Sequence, residues 1–230
     1  MPKKEDRLLR IGVLGCGPIA QAAHFESCTK ARNAELYAIC DVADDLRERM
    51  AATHAPQRQY ADYAAMLADP QVEAVIIATS DAFHVPASIQ ALEAGKHVWC
   101  EKPMATTLQD AARMRDAARA SGKAAIMGYN YIQNPLVRHM KALLDEGAIG
   151  SVTHVRIEMD EDYMADPEEP FYWKSEAQSG YGALDDFAVH PLSLMRALVG
   201  LPVEVMADMS KPYADRPVKT GGRRMVENHD

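Results

Sequence analysis

The first half of the chain alternates short apolar runs with longer stretches of helical character. Runs such as AVIIA, residues 74–78, are apolar throughout, which is typical of strands that helices cover on both faces. Strands and helices in regular alternation indicate βαβ units and a parallel sheet. We therefore predict an N-terminal α/β domain with a doubly wound parallel sheet. Its predicted strands are residues 10–15, 35–41, 74–78, 96–100 and 124–129.

The pattern changes in the second half of the chain. Residues 134–146 and 182–198 predict helices, and a glycine follows each of them closely. Residues 152–160 and 203–209 alternate apolar and polar positions, as strands with one buried face do. The second half is therefore predicted to be an α+β domain with an open sheet.

We place the domain boundary so that residues 1–130 form the parallel-sheet domain and residues 131–230 form the α+β domain. Two strands and few helices make a marginal core for the second domain. Either a partner chain completes this domain, or the sequence is a fragment of a longer protein. We expect a fragment that is truncated at its C-terminus and has an exposed apolar sheet face.

Composition narrows the range of functions. The chain is 48% hydrophobic and 25% charged, as ordinary globular proteins are. A net charge of −8 argues against a nucleic-acid partner, because neutralising phosphates requires a basic surface. Neither a signal peptide nor an apolar run long enough to cross a membrane is evident, so we expect a cytoplasmic protein. The four cysteines are widely spaced, which predicts reduced thiols and no metal site.

The motif GCGPIA, residues 15–20, lies between the first predicted strand and the first predicted helix. Gly15 permits a tight turn, and Gly17 has no side chain that would keep a pyrophosphate away from the backbone. Pro18 suits the first turn of a helix, where its missing N–H needs no partner. The spacing and the context are those of a dinucleotide-binding loop in a Rossmann domain.

Asp41 follows the second predicted strand, where an acid is expected to hydrogen-bond the ribose hydroxyls of the dinucleotide. Its negative charge would repel the 2′-phosphate of NADP, so the sequence favours NAD. Arg47 is the alternative signal, because one turn into the next helix it is close enough to turn back and hold that phosphate.

The run AGKHVWCEKPMA, residues 94–105, resembles a known family when it is taken together with GCGPIA and with GALDDFAVHP, residues 182–191. The chain is similar to the glucose-fructose oxidoreductase, inositol dehydrogenase and MocA oxidoreductases over nearly its whole length. The resemblance implies a Rossmann domain followed by an α/β domain with a large open sheet. It also implies NAD(P)-dependent oxidation of sugars or cyclitols by a full-length homo-oligomer.

Three catalytic residues follow from that resemblance: Lys102 in the EKP motif, Asp186, and His190. Lys102 follows the carboxyl end of a strand, where parallel sheets bind ligands. Asp186 and His190 are four residues apart on a predicted helix and so share one face. A neutral histidine is a suitable base for the proton of an alcohol, and a carboxylate beside it would orient the ring.

Further cofactor contacts are implied by position in the matching motifs. ATSDAFH, residues 78–84, resembles the family turn beside the nicotinamide, although Ser80 and Asp81 stand where proline and asparagine are usual. The acid leaves the details of cofactor contact there in doubt. The residues expected to contact the cofactor are Gly15, Gly17, Pro18, Ile19, Asp41, Thr79, Ser80, His84, Glu101 and Lys102.

The substrate is expected to meet the catalytic residues and a few polar or aromatic side chains outside them. Asn130 either hydrogen-bonds the substrate or the cofactor amide, or caps the next turn. Tyr163 and Trp173 belong to an acidic, aromatic segment that suits the C–H face and hydroxyls of a polyol, and a surface loop anchored by Trp173 is the competing interpretation. The expected substrate-binding residues are Lys102, Asn130, Tyr163, Trp173, Asp186 and His190.

The leading functional hypothesis is an NAD-dependent dehydrogenase of a sugar, sugar acid or cyclitol. One alternative is a glycoside hydrolase of the same fold, which would use NAD transiently without consuming it. Another is a non-catalytic sugar or dinucleotide sensor, although the retention of Lys102, Asp186 and His190 argues against it. As a fragment, the isolated chain is expected to bind NAD weakly and to turn over little substrate.

Overall fold

The structure is a computed structural model that describes residues 7–162, 164–182 and 184–228. The chain divides into two compact units, Met1–Gly128 and Tyr129–Asp230, and each unit is described separately. None of the described helices combines the length and the apolar character that crossing a membrane requires.

The first unit is built on a six-stranded sheet in which every neighbouring pair of strands is parallel. The strand order is β3-β2-β1-β4-β5-β6, the order of a doubly wound Rossmann sheet, so the predicted α/β fold class is confirmed. The strands are β1 Leu9–Leu14, β2 Ala34–Cys40, β3 Arg58–Tyr60, β4 Ala74–Ile77, β5 His97–Cys100 and β6 Ala125–Met127.

Five helices connect these strands, and side-chain caps help to fix where they begin. The Asp62 carboxylate accepts the N–H of Ala64 at the start of α3, and the Thr107 hydroxyl accepts the N–H of Asp110 at the start of α5. A π-helical turn, Ala20–His24, leads directly into the first helix. The helices are α1 Phe25–Lys30, α2 Asp44–His54, α3 Tyr63–Ala68, α4 His84–Glu93 and α5 Leu108–Ser121.

Apolar side chains are buried on both faces of the sheet, as the uninterrupted apolar strands require. All four residues of β4 are buried, and neighbours along a strand point to opposite faces. Val75 and Ile77 belong to one buried cluster, with Met114 of α5. Ile76 belongs to the other cluster, with Val13 and Phe25. The two clusters hold the carboxyl ends of β1, β2, β4 and β5 at one edge of the sheet, where the glycine-rich loop also lies.

Among its described residues, the second unit contains two α-helices, several short helical turns and a short hairpin. The helices are α6 Pro135–Asp145 and α7 Val189–Leu198, and a π-helical turn, Leu184–Ala188, precedes α7. The Asn134 side chain accepts the N–H of Leu136 and so caps α6. The hairpin consists of the antiparallel strands β7 Asp215–Pro217 and β8 Arg223–Met225.

The prediction that residues 152–160 and 203–209 form strands of the second unit is wrong, because the structure describes both segments and assigns neither of them to a strand. Val203 and Met206 are 98% and 97% exposed. Alternation identifies a face that could be buried, but a strand forms only where a neighbour completes its hydrogen bonds. The hairpin β7–β8, three residues on each strand, does not pair with either segment.

Candidate active site

The glycine-rich loop follows β1 at the carboxyl edge of the parallel sheet. Gly15 has a φ of +92°, and a Cβ atom there would lie 2.5 Å from the carbonyl oxygen of Ala78. Only glycine fits this turn without displacing the backbone. At Gly17, a Cβ atom would meet no described atom within 4 Å, so the loop is open to a ligand on that side.

Pro18 and Ile19 begin the helical segment after the loop, and both are exposed. Proline suits this position because the first-turn N–H groups have no partner within a helix. The two residues continue directly from the open side of Gly17. They are therefore available for the ligand contacts that the motif predicts.

Asp41 links the end of β2 to the glycine-rich loop. Its Oδ2 atom accepts the backbone N–H of Cys16 at 2.8 Å, and its Oδ1 atom accepts the N–H of Ala43 at 2.9 Å. These bonds fix the carboxylate beside the loop, and each oxygen keeps a lone pair that could accept a hydroxyl. The geometry fits an acid that receives the hydroxyls of a ribose.

Arg47 turns back from α2 toward the same place. Its guanidinium donates to the carbonyl oxygen of Asp41 at 2.8 Å and to the Asp44 carboxylate at 2.6 Å. Its side chain is 13% exposed. A cation therefore does lie next to Asp41, and the two residues have opposite effects on a 2′-phosphate.

The turn after β4 carries Thr79, Ser80 and His84. Thr79 and Ser80 are half-buried at the carboxyl edge of the sheet. His84 is buried, and its ring contacts two backbone carbonyl oxygens: Nδ1 lies 2.7 Å from Pro103 and Nε2 lies 3.2 Å from Thr79. Burial lowers the pKa of His84 despite these two bonds. The polar atoms of His84 are thus engaged by the protein, whereas Thr79 and Ser80 are reachable by a ligand.

The EKP motif follows β5, and the bond between Lys102 and Pro103 is cis. The Glu101 carboxylate lies 2.8 Å from Nε2 of His24 and accepts the backbone N–H of Lys102 at 3.3 Å. Burial alone would raise the pKa of Glu101, but the bond and charge of His24, together with the neighbouring Lys102, lower it. Glu101 is therefore ionised next to the residue that the sequence analysis assigns to catalysis.

Asp186 lies in the π-helical turn of the second unit and forms an ion pair with Lys174. The Asp186 side chain is 11% exposed. Its neighbour Asp185 accepts the backbone N–H of Tyr181, and burial raises the pKa of Asp185. Of the two adjacent carboxylates, Asp186 is thus the one in direct contact with the Lys174 ammonium, while Lys174 also opposes the rise of the Asp185 pKa.

His190 is buried in the first turn of α7. Its ring meets the ring of Tyr131 edge to face, with centroids 4.6 Å apart and planes at 74°. Asn130 begins the short 3₁₀ turn that contains Tyr131, and its side chain is exposed. The side chain that caps α6 is that of Asn134. The alternative interpretation, in which Asn130 has a capping role, is therefore not supported at this helix.

A cavity of about 700 Å³ in the second unit is lined by Tyr172, Lys174 and Asp186, among others. Trp173 packs against Tyr172 with ring centroids 5.4 Å apart, and the ammonium of Lys174 lies 5.5 Å from the Trp173 ring. Tyr163, also predicted to contact substrate, lies outside the described residues. The cavity combines aromatic faces with a paired acid and cation, a combination that suits a polyhydroxylated ligand.

Sequence reasoning missed the roles of two residues in these arrangements. Lys174 comes twelve positions before Asp186 in an irregular segment, and no periodic pattern links the two. His24 is ten positions beyond β1, while its partner Glu101 follows β5. Strand order in the sheet brings His24 and Glu101 together, and a single sequence does not display that order.

Comparison with known proteins agrees with this geometry. A family model described as an oxidoreductase family with an NAD-binding Rossmann fold matches residues 9–129, and the GFO/IDH/MocA C-terminal domain matches residues 137–228. The chain therefore belongs to the GFO/IDH/MocA oxidoreductase family, which confirms the resemblance found in the sequence.

Three similar proteins illustrate the family. Levoglucosan dehydrogenase from Pseudarthrobacter phenanthrenivorans is 34% identical over 80% of this chain and 47% of its own length. Myo-inositol 2-dehydrogenase from Thermotoga maritima is 30% identical over 88% of this chain and 58% of its own length. A solved levoglucosan dehydrogenase in complex with NADH and L-sorbose superposes with a TM-score of 0.87 at 28% identity, covering 96% of this chain and 62% of that one. The chain thus spans about half to three fifths of the length of these relatives.

Proposed function

We propose that the chain forms the cofactor and substrate sites of an NAD-dependent dehydrogenase that oxidises a hydroxyl of a sugar, sugar acid or cyclitol. The first unit is the cofactor domain and the second is the substrate domain. The observation that carries the proposal is the Asp41 carboxylate bound to the N–H of Cys16, beside a glycine-rich loop that is open at Gly17. This arrangement fits the ribose and pyrophosphate of a dinucleotide.

The cofactor contacts are assigned to the residues around that loop and at the neighbouring strand ends. Gly15, Gly17, Pro18 and Ile19 bind the pyrophosphate, and Asp41 binds the adenosine ribose. At the nicotinamide end, Thr79, Ser80, Glu101 and Lys102 are the proposed contacts. His84 contributes by holding Thr79 and Pro103, because its two ring nitrogens already contact their carbonyl oxygens.

NAD is proposed as the cofactor in preference to NADP, because Asp41 would repel a 2′-phosphate. Arg47 weakens that repulsion, since its guanidinium lies at the Asp41 carbonyl group. However, Arg47 is also bound to Asp44, and this ion pair would have to be released before it could hold a phosphate. We therefore expect a preference for NAD rather than exclusion of NADP.

In the proposed reaction, the hydroxyl of one alcohol group loses its proton and the carbon that bears it loses a hydride. When bound, NAD would accept the hydride. His190 takes the hydroxyl proton on its imidazole, Asp186 orients the substrate and the ring, and Lys102 donates a hydrogen bond that polarises the hydroxyl. Lys174 forms an ion pair with Asp186 and would hold its carboxylate in place for this role. Asn130 and Trp173 are proposed to contact the remaining part of the sugar.

The names of the relatives support this substrate class. One similar protein is named a levoglucosan dehydrogenase, another a myo-inositol 2-dehydrogenase, and the solved complex holds NADH with L-sorbose. Those names concern an anhydrosugar, a cyclitol and a ketose, so the proposal covers polyols without selecting one. A homo-oligomer of the full-length enzyme is proposed on the same basis.

The test is a screen of sugars, sugar acids and cyclitols, with NAD and NADP in parallel, in which reduced cofactor is followed by its absorbance. Net formation of NADH on a free sugar or cyclitol, slow in the isolated 230-residue chain, is the expected result. Hydrolysis of a glycoside without net NADH would instead indicate the hydrolase alternative. Sugar binding with no reaction, in a preparation that binds NAD, would indicate a sensor.

A further inference from the structure

Lys102 lies between two residues that are each held in place by a buried histidine from a helical segment of the first unit. His24 of the first helical segment contacts Glu101, and His84 of α4 contacts Pro103. His24 is 6% exposed and His84 is 1% exposed. Neither histidine is assigned a catalytic role in the proposed function.

The backbone groups around Lys102 depend on these contacts. The sheet hydrogen bonds end at Glu101, whose N–H donates to the carbonyl of Ile77 at 3.0 Å. The next N–H, that of Lys102, donates to the Glu101 carboxylate. Pro103 has no N–H, and its carbonyl oxygen accepts a hydrogen bond from His84. On each side of Lys102, a hydrogen bond with a side chain therefore takes the place of the backbone hydrogen bonds of the sheet.

The first of these attachments is enclosed. Nε2 of His24 lies 2.8 Å from Oε1 of Glu101, while the Glu101 Oε2 atom accepts the N–H of Lys102. A Cβ atom at Gly128 would come within 3.1 Å of the same carboxylate, so glycine there leaves room for it. Trp99 lies edge-on to His24, with ring centroids 6.4 Å apart. The carboxylate thus has little freedom to leave Lys102.

The second attachment joins two loops. One histidine, His84, contacts the carbonyl of Thr79 after β4 and that of Pro103 after β5. Because each ring nitrogen faces a different carbonyl oxygen, a substitution at His84 can be designed to keep a donor at one of them and remove it from the other. Asparagine places its amide near the position of Nδ1, and glutamine places it near the position of Nε2.

We propose that His24 and His84 are positioning residues, which fix the backbone of Lys102 from its two sides. The inference relies on the proposed function only for the catalytic role of Lys102. The fixed backbone itself is a property of the first unit and can be measured without substrate. Fixed geometry of this kind is what allows a catalytic group to act without reorganising at each turnover.

The experiment measures amide hydrogen exchange at Lys102, whose N–H donates to Glu101, in the full 230-residue chain. The variants are His24→Leu and His24→Gln, and His84→Asn and His84→Gln. The matched control is His97→Gln: His97 begins β5, at the far end from Glu101, and its Nδ1 accepts the N–H of Ala124. Amides in β1 report global stability, and NADH fluorescence reports cofactor binding as a separate readout.

We expect His24→Leu and His84→Gln to speed exchange at Lys102 by about tenfold or more, because the carboxylate or the backbone that supports its hydrogen bond to Glu101 is no longer fixed. Exchange in β1 should not change. His24→Gln and His84→Asn retain a donor to Glu101 or Pro103 and should stay within about threefold of the unmodified protein.

Three outcomes would overturn the proposal: unchanged exchange at Lys102 in His24→Leu and His84→Gln, an equal rise throughout β1, or an equal effect of His97→Gln. If His24→Leu does not fold, His24→Ala is used, and exchange at Lys102 that stays unchanged in this variant also overturns it. If the unmodified protein fails to bind NADH, the proposed function is contradicted. The hydrogen-exchange result still decides whether His24 and His84 fix the backbone of Lys102.

Discussion

The glycine-rich loop provides a pair of substitutions that separates folding from cofactor binding. Gly15→Ala places a methyl group 2.5 Å from the carbonyl oxygen of Ala78, at a φ of +92° that side chains rarely adopt. Gly17→Ala places the same group where no described atom lies within 4 Å, and the φ of Gly17 is not positive. The two substitutions add one methyl each, two residues apart, so each serves as the control for the other.

The structure sets the size of both effects. At Gly15, left-handed backbone strain and an overlap with the backbone together cost about 2–4 kcal/mol, which lowers Tm by roughly 5–15 °C. At Gly17, the folded protein should keep its Tm to within a few degrees, because Ala fits and restricts the unfolded chain. A methyl in the path of the pyrophosphate should instead weaken NAD binding by about 10- to 100-fold.

The assays are thermal unfolding followed by circular dichroism and NAD titration followed by calorimetry. The expected pattern is a low Tm for Gly15→Ala and a normal Tm with weak binding for Gly17→Ala. Equal NAD affinity in Gly17→Ala and the unmodified protein would refute the assignment of this loop to a dinucleotide. A Gly15→Ala protein that melts normally would refute the steric argument.

Three further predictions concern the cofactor, the chemistry and the acid stability of the first unit. Asp41→Ala should narrow the difference between NAD and NADP affinities in parallel titrations, because it removes the repulsion of the 2′-phosphate; an unchanged ratio would contradict the role of Asp41. Lys102→Ala and His190→Ala should each lower kcat by roughly 10²–10⁴ in a catalytically active preparation, the usual contribution of a positioned acid or base, with NAD affinity retained in His190→Ala. Tyr60→Phe removes a 2.7 Å hydrogen bond to the Asp69 carboxylate and should cost about 1 kcal/mol of unfolding free energy at neutral pH. Burial by itself would raise the pKa of Asp69, but the N–H of Gln71 and two tyrosine hydroxyls lower it below its ordinary value of 3.8. The stabilisation that the Tyr60–Asp69 hydrogen bond provides is therefore fully present above pH 3.8 and is lost as the pH falls through the lowered pKa of Asp69 in the folded protein. Urea unfolding at pH 7 and pH 3 should therefore show a smaller effect of Tyr60→Phe at pH 3, and an equal or larger effect there would contradict the linkage.

The parallel-sheet half of the fold could be predicted because burial on both faces leaves an uninterrupted apolar run in each central strand. AVII of β4 and its neighbours carry that signal, and all five predicted strands are present. β3 was missed because its three residues, Arg58–Tyr60, pair only with β2 and are mostly exposed. An edge strand so short and polar has no apolar pattern to detect.

In the second half, the helices could be predicted and the strands could not. Alternation at residues 152–160 and 203–209 indicates a face suited to burial, but it does not indicate whether a neighbouring strand is there to pair. The hairpin β7–β8 depends instead on Gly221 and Gly222, which adopt positive φ in the turn. The sequence there, with its prolines and basic residues, has no strand pattern.

The candidate site shows the same division between local and long-range information. Gly15, Gly17 and Asp41 could be predicted because each occupies a fixed place relative to a strand. The partners that hold side chains in position were not predictable, since Lys174 with Asp186 and His24 with Glu101 meet only through the tertiary fold. A local motif thus identifies the chemistry, whereas the contacts that orient it require the structure.

The central claim is that the edge of the sheet between Gly15 and Asp41 binds the dinucleotide. The most direct measurement is a pair of ¹H–¹⁵N spectra of the labelled chain, recorded with and without NAD. The account predicts that the amides of Cys16, Gly17 and Ala43 shift saturably, because Cys16 and Ala43 donate to the Asp41 carboxylate and Gly17 faces space that no described atom occupies. Saturable shifts confined to other parts of the chain, or no shifts at millimolar NAD, would contradict it.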